Sequence, residues 1–492
     1  MKKAALVTLA ITASLLTACN QEEEQPSKNE MNHEQMGHGD MSHEQMHEQM
    51  TATLQNNEGT NELTFPKVLT PDHRDKDSVT YTVKAQEGQT EIFNGIQTNT
   101  YGYNGNFLGP VLRVEKGMNV TINLVNDLQE DTTFHWHGLD VAGNADGGPH
   151  AVLKPGETDK IEFTVKQGAA TLWFHPHPMH ETGKQVFNGL AGLLYIDDPA
   201  NDDLNLPQTY GEDDFPLILQ DKTFTEDKQL DYAAVMNEDG TTGDTLLING
   251  VVDAKLTVDR KKVRLRILNG SNIRPYKLHF DQDIVFEQIA SDGGLLNTPH
   301  QTKEIDVSPS ERVEVLVDFT QVKGDKVSLV DQNGVVILPI HLKEETKRAT
   351  NTATTLNTLT IPEDVRDQEV TKKVKLEGMG RNVTINGQKF DMDRIDFRQK
   401  QNVTEVWEIE NVKDMMGGMQ HPFHIHGTQF QVISIDGKAP PAQLAGYKDT
   451  IALDPGQKAK IAVTFSNKGT YMFHCHILEH EDNGMMGQIE VY

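Results

Sequence analysis

The segment His474-Cys475-His476, followed by His480 and Met485, constrains this chain more than any other feature. One thiolate, two imidazoles and a weak thioether make the ligand set of an electron-transfer copper site. Cys475, His480 and Met485 supply three of these, so one imidazole has to come from elsewhere. Neighbouring side chains of an extended segment point to opposite faces. His474 and His476 therefore point away from a metal on Cys475, toward a second centre one residue from the first.

Three more His-X-His pairs supply partners for that centre: His135-Trp136-His137, His175-Pro176-His177 and His424-Ile425-His426. With His474 and His476 they give eight imidazoles in four pairs. His421, three residues before His424, is the candidate for the missing imidazole on the Cys475 metal. A single His-X-His is weak, because most such histidines are surface or ordinary core residues. Four pairs, one of them wrapped around a cysteine, are specific. Structural zinc closes with four ligands, and eight imidazoles beside a separate thiolate site exceed that, so copper fits better.

FHWHG (134–138), WFHPHP (173–178), HPFHIHG (421–427) and HCHILEHEDNGMMG (474–487) resemble the four copper-binding motifs of the multicopper oxidases. They stand in the family's order, and the resemblance runs from about residue 65 to the C-terminus. It implies four copper ions. By position His421, Cys475, His480 and Met485 would hold a type 1 copper, and His135 and His424 a type 2 copper. His137, His175, His177, His426, His474 and His476 would hold a type 3 pair. The implied reaction couples one-electron oxidation of a small reducing substrate to four-electron reduction of O2 to water. Electrons would enter at Cys475 and reach the cluster through the peptide bonds to His474 and His476. The four protons need carriers, and carboxylates near the cluster suit that task. Asp146 and Glu481 match the family's proton-delivery acids by position.

The reducing substrate is read from Asp414, Met415, Met416 and Met419, just before His421. In the family this stretch borders the type 1 copper, and soft sulfurs beside a carboxylate suit Cu(I). The expectation is Cu(I) oxidation in copper detoxification. The alternatives are a laccase-like oxidase of phenols and other organics, with the methionines as packing, and a non-catalytic copper-storage lipoprotein.

The chain has two cysteines, Cys19 and Cys475, so no disulfide framework is expected and each needs its own explanation. Lys2 and Lys3 followed by the apolar run Ala4–Leu16 read as a secretory signal, too short to span a bilayer. It ends in Leu16-Thr17-Ala18-Cys19, similar to a bacterial lipoprotein cleavage box. Residues 1–18 are thus expected to be a signal peptide, with Cys19 lipidated and the protein extracytoplasmic, held to a bacterial membrane by its lipid alone. Residues 19–60 read as a disordered tether rich in Met and His. His-Glu-Gln-Met recurs there at 33–36, 43–46 and 47–50; capture of copper and simple spacing are both open readings. The net charge of −28 argues against nucleic acid as a partner.

Lys154-Pro155-Gly156-Glu157, Ser308-Pro309-Ser310-Glu311 and Asp454-Pro455-Gly456-Gln457 each precede an alternating strand. Their spacing of about 150 residues marks an internal repeat. Period-2 patterns broken by Gly, Pro, Asn and Asp make each copy all-β, and the resemblance makes each a cupredoxin-like Greek-key β-barrel. Three tandem domains are expected, at 61–200, 201–345 and 346–492. Where copy one reaches Trp173-Phe174-His175 and copy three Met472-Phe473-His474, copy two has Leu329-Val330-Asp331 and no histidine. Its isolated His279 reads as structural. Copies one and three must therefore meet to share the imidazoles, with copy two as scaffold. His150, His180 and His300 read as structural or exposed, and Trp136, Trp173 and Trp407 as core.

Overall fold

Strict alternation of side chains along the strands decides the architecture. In Ser78–Phe93 the residues Val79, Tyr81, Val83 and Ala85 turn inward while their neighbours stay partly exposed. The same alternation marks Asn119–Asp127 and Ala254–Val258. A strand with one apolar face has to bury it against a second sheet. The computed structural model of the chain describes residues 52–232, 239–259, 261–343, 352–413 and 417–492, and among these the strands form three two-sheet sandwiches in chain order.

In the first sandwich Ser78–Phe93, Ile96–Tyr103, Asn119–Asp127 and Thr158–Thr164 face a sheet ordered Val111–Glu115, Gly192–Asp197, Ala170–His175, His135–His137. Val83, Ile122, Leu172 and Phe174 fill the space between them. The middle sandwich packs a seven-stranded sheet, including Asp214–Lys222, Lys262–Asn269 and Arg312–Asp318, on a six-stranded one around Leu217, Leu265, Val315 and Ile340. The third sets a six-stranded sheet around Thr404–Asn411 and Lys458–Thr464 against Phe397–Gln399, Met486–Val491, Gly469–Cys475, His421–Ile425 and Thr450–Leu453. Trp407, Phe423, Ile461, Phe473 and Cys475 share its core. The mixed parallel and antiparallel pairing of these sheets gives the all-β class that the repeat predicts.

One expectation needs correction. Residues 52–60, assigned to a disordered tether, are pinned to the middle sandwich. The Asn57 side chain donates to the carbonyls of Ala254 at 2.8 Å and Ile337 at 2.7 Å. Leu54 and Leu63 pack in the middle core, and Asn61–Glu62 adds a strand to its sheet beside Ala254–Lys255. Within residues 52–60 only Leu54 joins that core, too little to produce a visible period. The signal segment, Cys19 and the His-Glu-Gln-Met repeats lie outside the described residues.

Candidate metal centre

Strand register brings the histidines together. His135–His137 pairs antiparallel with Ala170–His175, setting His135 opposite His175. His421–Ile425 pairs with Gly469–Cys475, setting His424 opposite His474 and Phe423 opposite Cys475. Residues i and i+2 of a strand share a face, so His135 and His137 send both rings to one side of their sheet, while His177, His426 and His476 follow just past the ends of their strands. The first and third sandwiches meet at these rings. His135 stacks on His426 and His137 on His424, each pair with ring centroids 3.7 Å apart. His177 Nε2 and His426 Nε2 lie 3.3 and 3.0 Å from His474 Nε2, and His137 Nδ1 lies 3.4 Å from His175 Nε2. All eight rings are buried.

Six of the eight rings engage an outward nitrogen, that of His474 through Nδ1 on the Cys475 carbonyl at 3.0 Å. His135 Nδ1 meets the Asp146 carbonyl at 3.0 Å, His175 Nδ1 the Pro176 carbonyl at 2.8 Å, and His424 Nδ1 the Asp449 carbonyl at 2.8 Å. His426 Nδ1 lies 2.7 Å from Asp146 Oδ2, and His137 Nε2 lies 3.0 Å from Asp449 Oδ1. Glu481 stands between two rings, 3.2 Å from His177 Nδ1 and 3.3 Å from His474 Nδ1. A bond on one nitrogen fixes the tautomer and aims the other inward.

The remaining nitrogens are not all satisfied. His135 Nε2, His424 Nε2 and both nitrogens of His476 have no hydrogen-bond partner among the described residues. Orphaned buried polar atoms are rare. Burial holds His137, His175, His177, His424, His426 and His476 well below the usual histidine range, and His474 at about 3. These rings are neutral, with lone pairs converging on one interior. Three subsets, His135/His137/His175, His135/His424/His426 and His177/His426/His474, each keep their ligating atoms within 4.8 Å of one another. Neutral imidazoles without a counter-charge suit metal cations, and imidazole-rich sites suit copper.

The Cys475 site lies within the third sandwich. Cys475 Sγ is 3.8 Å from His480 Nδ1, and the His421 and His480 ring centroids are 5.3 Å apart. The helix Leu478–Asp482 turns His480 back toward the sulfur, and the Cys475 amide donates to the Met485 carbonyl at 3.1 Å. Cys475, His480 and Met485 are fully buried and His421 nearly so; both His421 nitrogens and His480 Nε2 lack partners. Burial pushes the Cys475 thiol upward and His421 down to about 3. A thiol so buried ionises only with a cation beside it, and metal ligation requires that ionisation. The donor set, soft sulfur and two neutral imidazoles with a thioether, fits copper.

The remaining sequence candidates fall as follows. Asp146 is buried, with Oδ2 on His426 and Oδ1 unpartnered. Burial raises Glu481 well above the ordinary carboxyl range. Met419 is buried in the core cluster that holds Cys475 and Met485. Asp414, Met415 and Met416 lie outside the described residues. His279 sits in the middle sandwich's sheet opposite Glu304, away from the cage. His150 and His180 are exposed. Trp173 does more than fill core: its indole stacks on His175 with centroids 4.2 Å apart. Sequence reasoning missed Asp449, which meets His137 through its side chain and His424 through its carbonyl. A lone Asp in Tyr-Lys-Asp-Thr carries no spacing that ties it to a metal motif.

Three family models, each described as multicopper oxidase, match residues 84–201, 213–359 and 361–492. The chain is 55% identical over 445 residues to the multicopper oxidase mco of Staphylococcus haemolyticus, covering 90% of this chain and 96% of the relative. Among solved structures, a laccase from Pediococcus acidilactici superposes with a TM-score of 0.86 at 43% identity, covering 90% of this chain and 96% of that one. A Campylobacter jejuni multicopper oxidase described as a metallo-oxidase superposes with a TM-score of 0.77 at 30% identity, covering 90% and 98%. With these three models together matching most of the sequence, the chain belongs to the multicopper oxidase family, oxidoreductases that use copper, O2 and a reducing substrate.

Proposed function

We propose that this oxidase couples the oxidation of Cu(I), four ions per cycle, to reduction of O2 and four protons to two waters. The observation that carries the oxygen chemistry is the convergence of eight buried imidazoles from two repeats on one interior, one peptide bond from a buried thiol. In this reading His421, Cys475, His480 and Met485 hold the type 1 copper. His135 and His424 hold the type 2 copper, and His137, His175, His177, His426, His474 and His476 hold the type 3 pair. Bound copper supplies one-electron redox chemistry at the first site and delivery of four electrons to O2 at the second.

The chain's own residues then have definable tasks. Peptide bonds from Cys475 to His474 and His476 form a covalent path between the two sites. Asp146 orients His426 through Oδ2 and keeps Oδ1 free to carry a proton. Glu481, between His177 and His474, is placed to carry another. Burial of all eight rings keeps bulk water out of the cage.

Cu(I) as the reductant is supported by the sulfurs of Met415, Met416 and Met419 and the carboxylate of Asp414 ahead of His421. The packing of Met419 into the cluster of Cys475 and Met485 leaves capture of the incoming ion to the other three. The likeness to a metallo-oxidase points the same way. Lipidation of Cys19 would hold the enzyme outside the cytoplasm, where copper detoxification is needed. The likeness to a laccase favours a second reading, oxidation of phenols. Oxygen uptake by the copper-loaded full chain, given Cu(I) and then a phenol, separates them. Rapid uptake with Cu(I), lost when Met415 and Met416 are replaced by Leu, is expected. Rapid phenol oxidation with slow, Met-independent uptake on Cu(I) would make the enzyme a laccase.

A further inference from the structure

The middle repeat supplies no metal-binding histidine, yet it sends one side chain to the edge of the cage. Arg312 opens the strand Arg312–Asp318 and is fully buried. A guanidinium carries five N–H donors, and each meets an acceptor here. Nε donates to the Thr171 carbonyl at 3.1 Å, in the strand that ends at His175. One terminal nitrogen donates to the Ser310 carbonyl at 3.0 Å and to Asp449 Oδ1 at 2.8 Å. The other donates to the Asp292 carbonyl at 3.1 Å and to Asp449 Oδ2 at 2.5 Å. Arg312 thus ties all three repeats together, and it grips Asp449 through both oxygens.

Asp449 passes that grip to the histidines. Its Oδ1 lies 3.0 Å from His137 Nε2, its carbonyl lies 2.8 Å from His424 Nδ1, and Thr450 Oγ1 adds a bond to Oδ1 at 3.1 Å. His137 and His424 are the two rings that stack at 3.7 Å across the interface. Thr450 Oγ1 is in turn held by Ser310 Oγ at 3.0 Å, two residues before Arg312 in the chain. The backbone also makes room for the pair. Gly138, directly after His137, has φ +84, and a Cβ there would fall 2.4 Å from Asp449 Oδ2 and 2.7 Å from an Arg312 nitrogen. The carboxylate–guanidinium fork fits against the His137 strand only because position 138 has no side chain.

We propose that Arg312 is a positioning residue for the cage, setting the tautomer and ring angle of His137 through its two-oxygen hold on Asp449. With Nε2–H directed at Asp449 Oδ1, His137 presents Nδ1 to the interior, beside His175 Nε2. The planar fork gives Oδ1 one position. A lysine ammonium gives a point charge with no such preference. The middle repeat therefore holds the cage from outside, through Arg312 on Asp449 and Asp449 on His137. The inference rests on the reading of the cage as a copper cluster.

A comparison of two arginines tests it. Arg266 is also buried and also spans the first and middle repeats, with bonds to both Asp214 oxygens at 2.7 and 2.8 Å and to Thr171 Oγ1 at 2.8 Å. None of its hydrogen bonds reaches a histidine. Arg312→Lys and Arg266→Lys are made in the copper-loaded full chain, and copper content, blue absorbance, the type 2 EPR signal and the near-ultraviolet absorption of the type 3 pair are recorded. Arg312→Lys is expected to change the type 2 and type 3 signals, to keep the blue absorbance, and to slow O2 turnover by roughly 10–100-fold, the usual range for lost outer-shell partners. Arg266→Lys is expected to lower thermal stability with both signals unchanged. Signals identical to wild type in Arg312→Lys, or an equal change in Arg266→Lys, would overturn the assignment. If Arg312→Lys does not accumulate, Asp449→Asn, which keeps the shape, decides on the same signals. Wild-type protein without type 2 and type 3 signals would instead overturn the copper-cluster reading, and this inference with it.

Discussion

The two candidate metal sites lie one residue apart in the chain and are built in opposite ways. The Cys475 site is local: its four donors come from one sandwich, three of them within the segment from Cys475 to Met485. Its donors are all buried, and His421 has no hydrogen bond on either nitrogen. The cage is interfacial. Four of its rings come from the first repeat and four from the third, and the outer nitrogens of six of them are held by Asp146, Asp449 and backbone carbonyls. A local site survives whatever leaves its own sandwich folded, whereas an interfacial one depends on the seams between repeats.

Three substitutions probe that difference, beginning with the largest effect. Cys475→Ser removes the cysteine sulfur of the local site, so blue absorbance and oxidation of any substrate should vanish while the type 2 EPR signal persists. Loss of that signal as well would mean that the sites are not independently built. Asp146→Asn removes the charge at 2.7 Å from His426 Nδ1. It should slow O2 reduction by roughly 10²-fold, the scale of one general acid or base, with blue absorbance intact. Unchanged steady-state turnover would remove Asp146 from proton delivery. The third concerns the seam. Glu314 accepts from Arg264, from Arg266 and from Thr171 Oγ1 at 2.7 Å, joining the middle repeat to the first. Burial alone would raise its carboxyl, but Arg264 and Arg266 hold it down to about 2. That is below the unfolded value of about 4.3, so the stabilisation is present above that pH and is lost as pH falls through the folded value. Removing one member of such a buried network costs about 3 kcal/mol. Glu314→Gln should therefore melt earlier at neutral pH and show less acid sensitivity. Under mild denaturant it should lose type 2 copper before the blue absorbance. Simultaneous loss in spectroscopically followed titrations would contradict the local-versus-interfacial distinction.

The sequence showed what short-range spacing encodes. Side-chain alternation puts His474 and His476 on the face opposite Cys475, and the Pro-containing turns before three strands mark three copies. Asp449 and Arg312 were not legible, because they meet His137 only through tertiary packing: 312 residues separate Asp449 from His137 and 137 separate Arg312 from Asp449. The attachment of residues 52–60 was hidden for a related reason, since the Asn57 amide caps carbonyls 197 and 280 residues away. The middle repeat, lacking histidines, read as inert scaffold, but its buried arginines reach both neighbours.

Copper content, measured together with the fraction visible by EPR, tests the shared cage most directly. Eight imidazoles closing on one interior beside a separate thiolate site predict four coppers per chain in dialysed protein, two of them EPR-visible and two silent as a coupled pair. One copper per chain, all of it visible and blue, would mean that the eight histidines are packing and that no cluster forms between the first and third repeats.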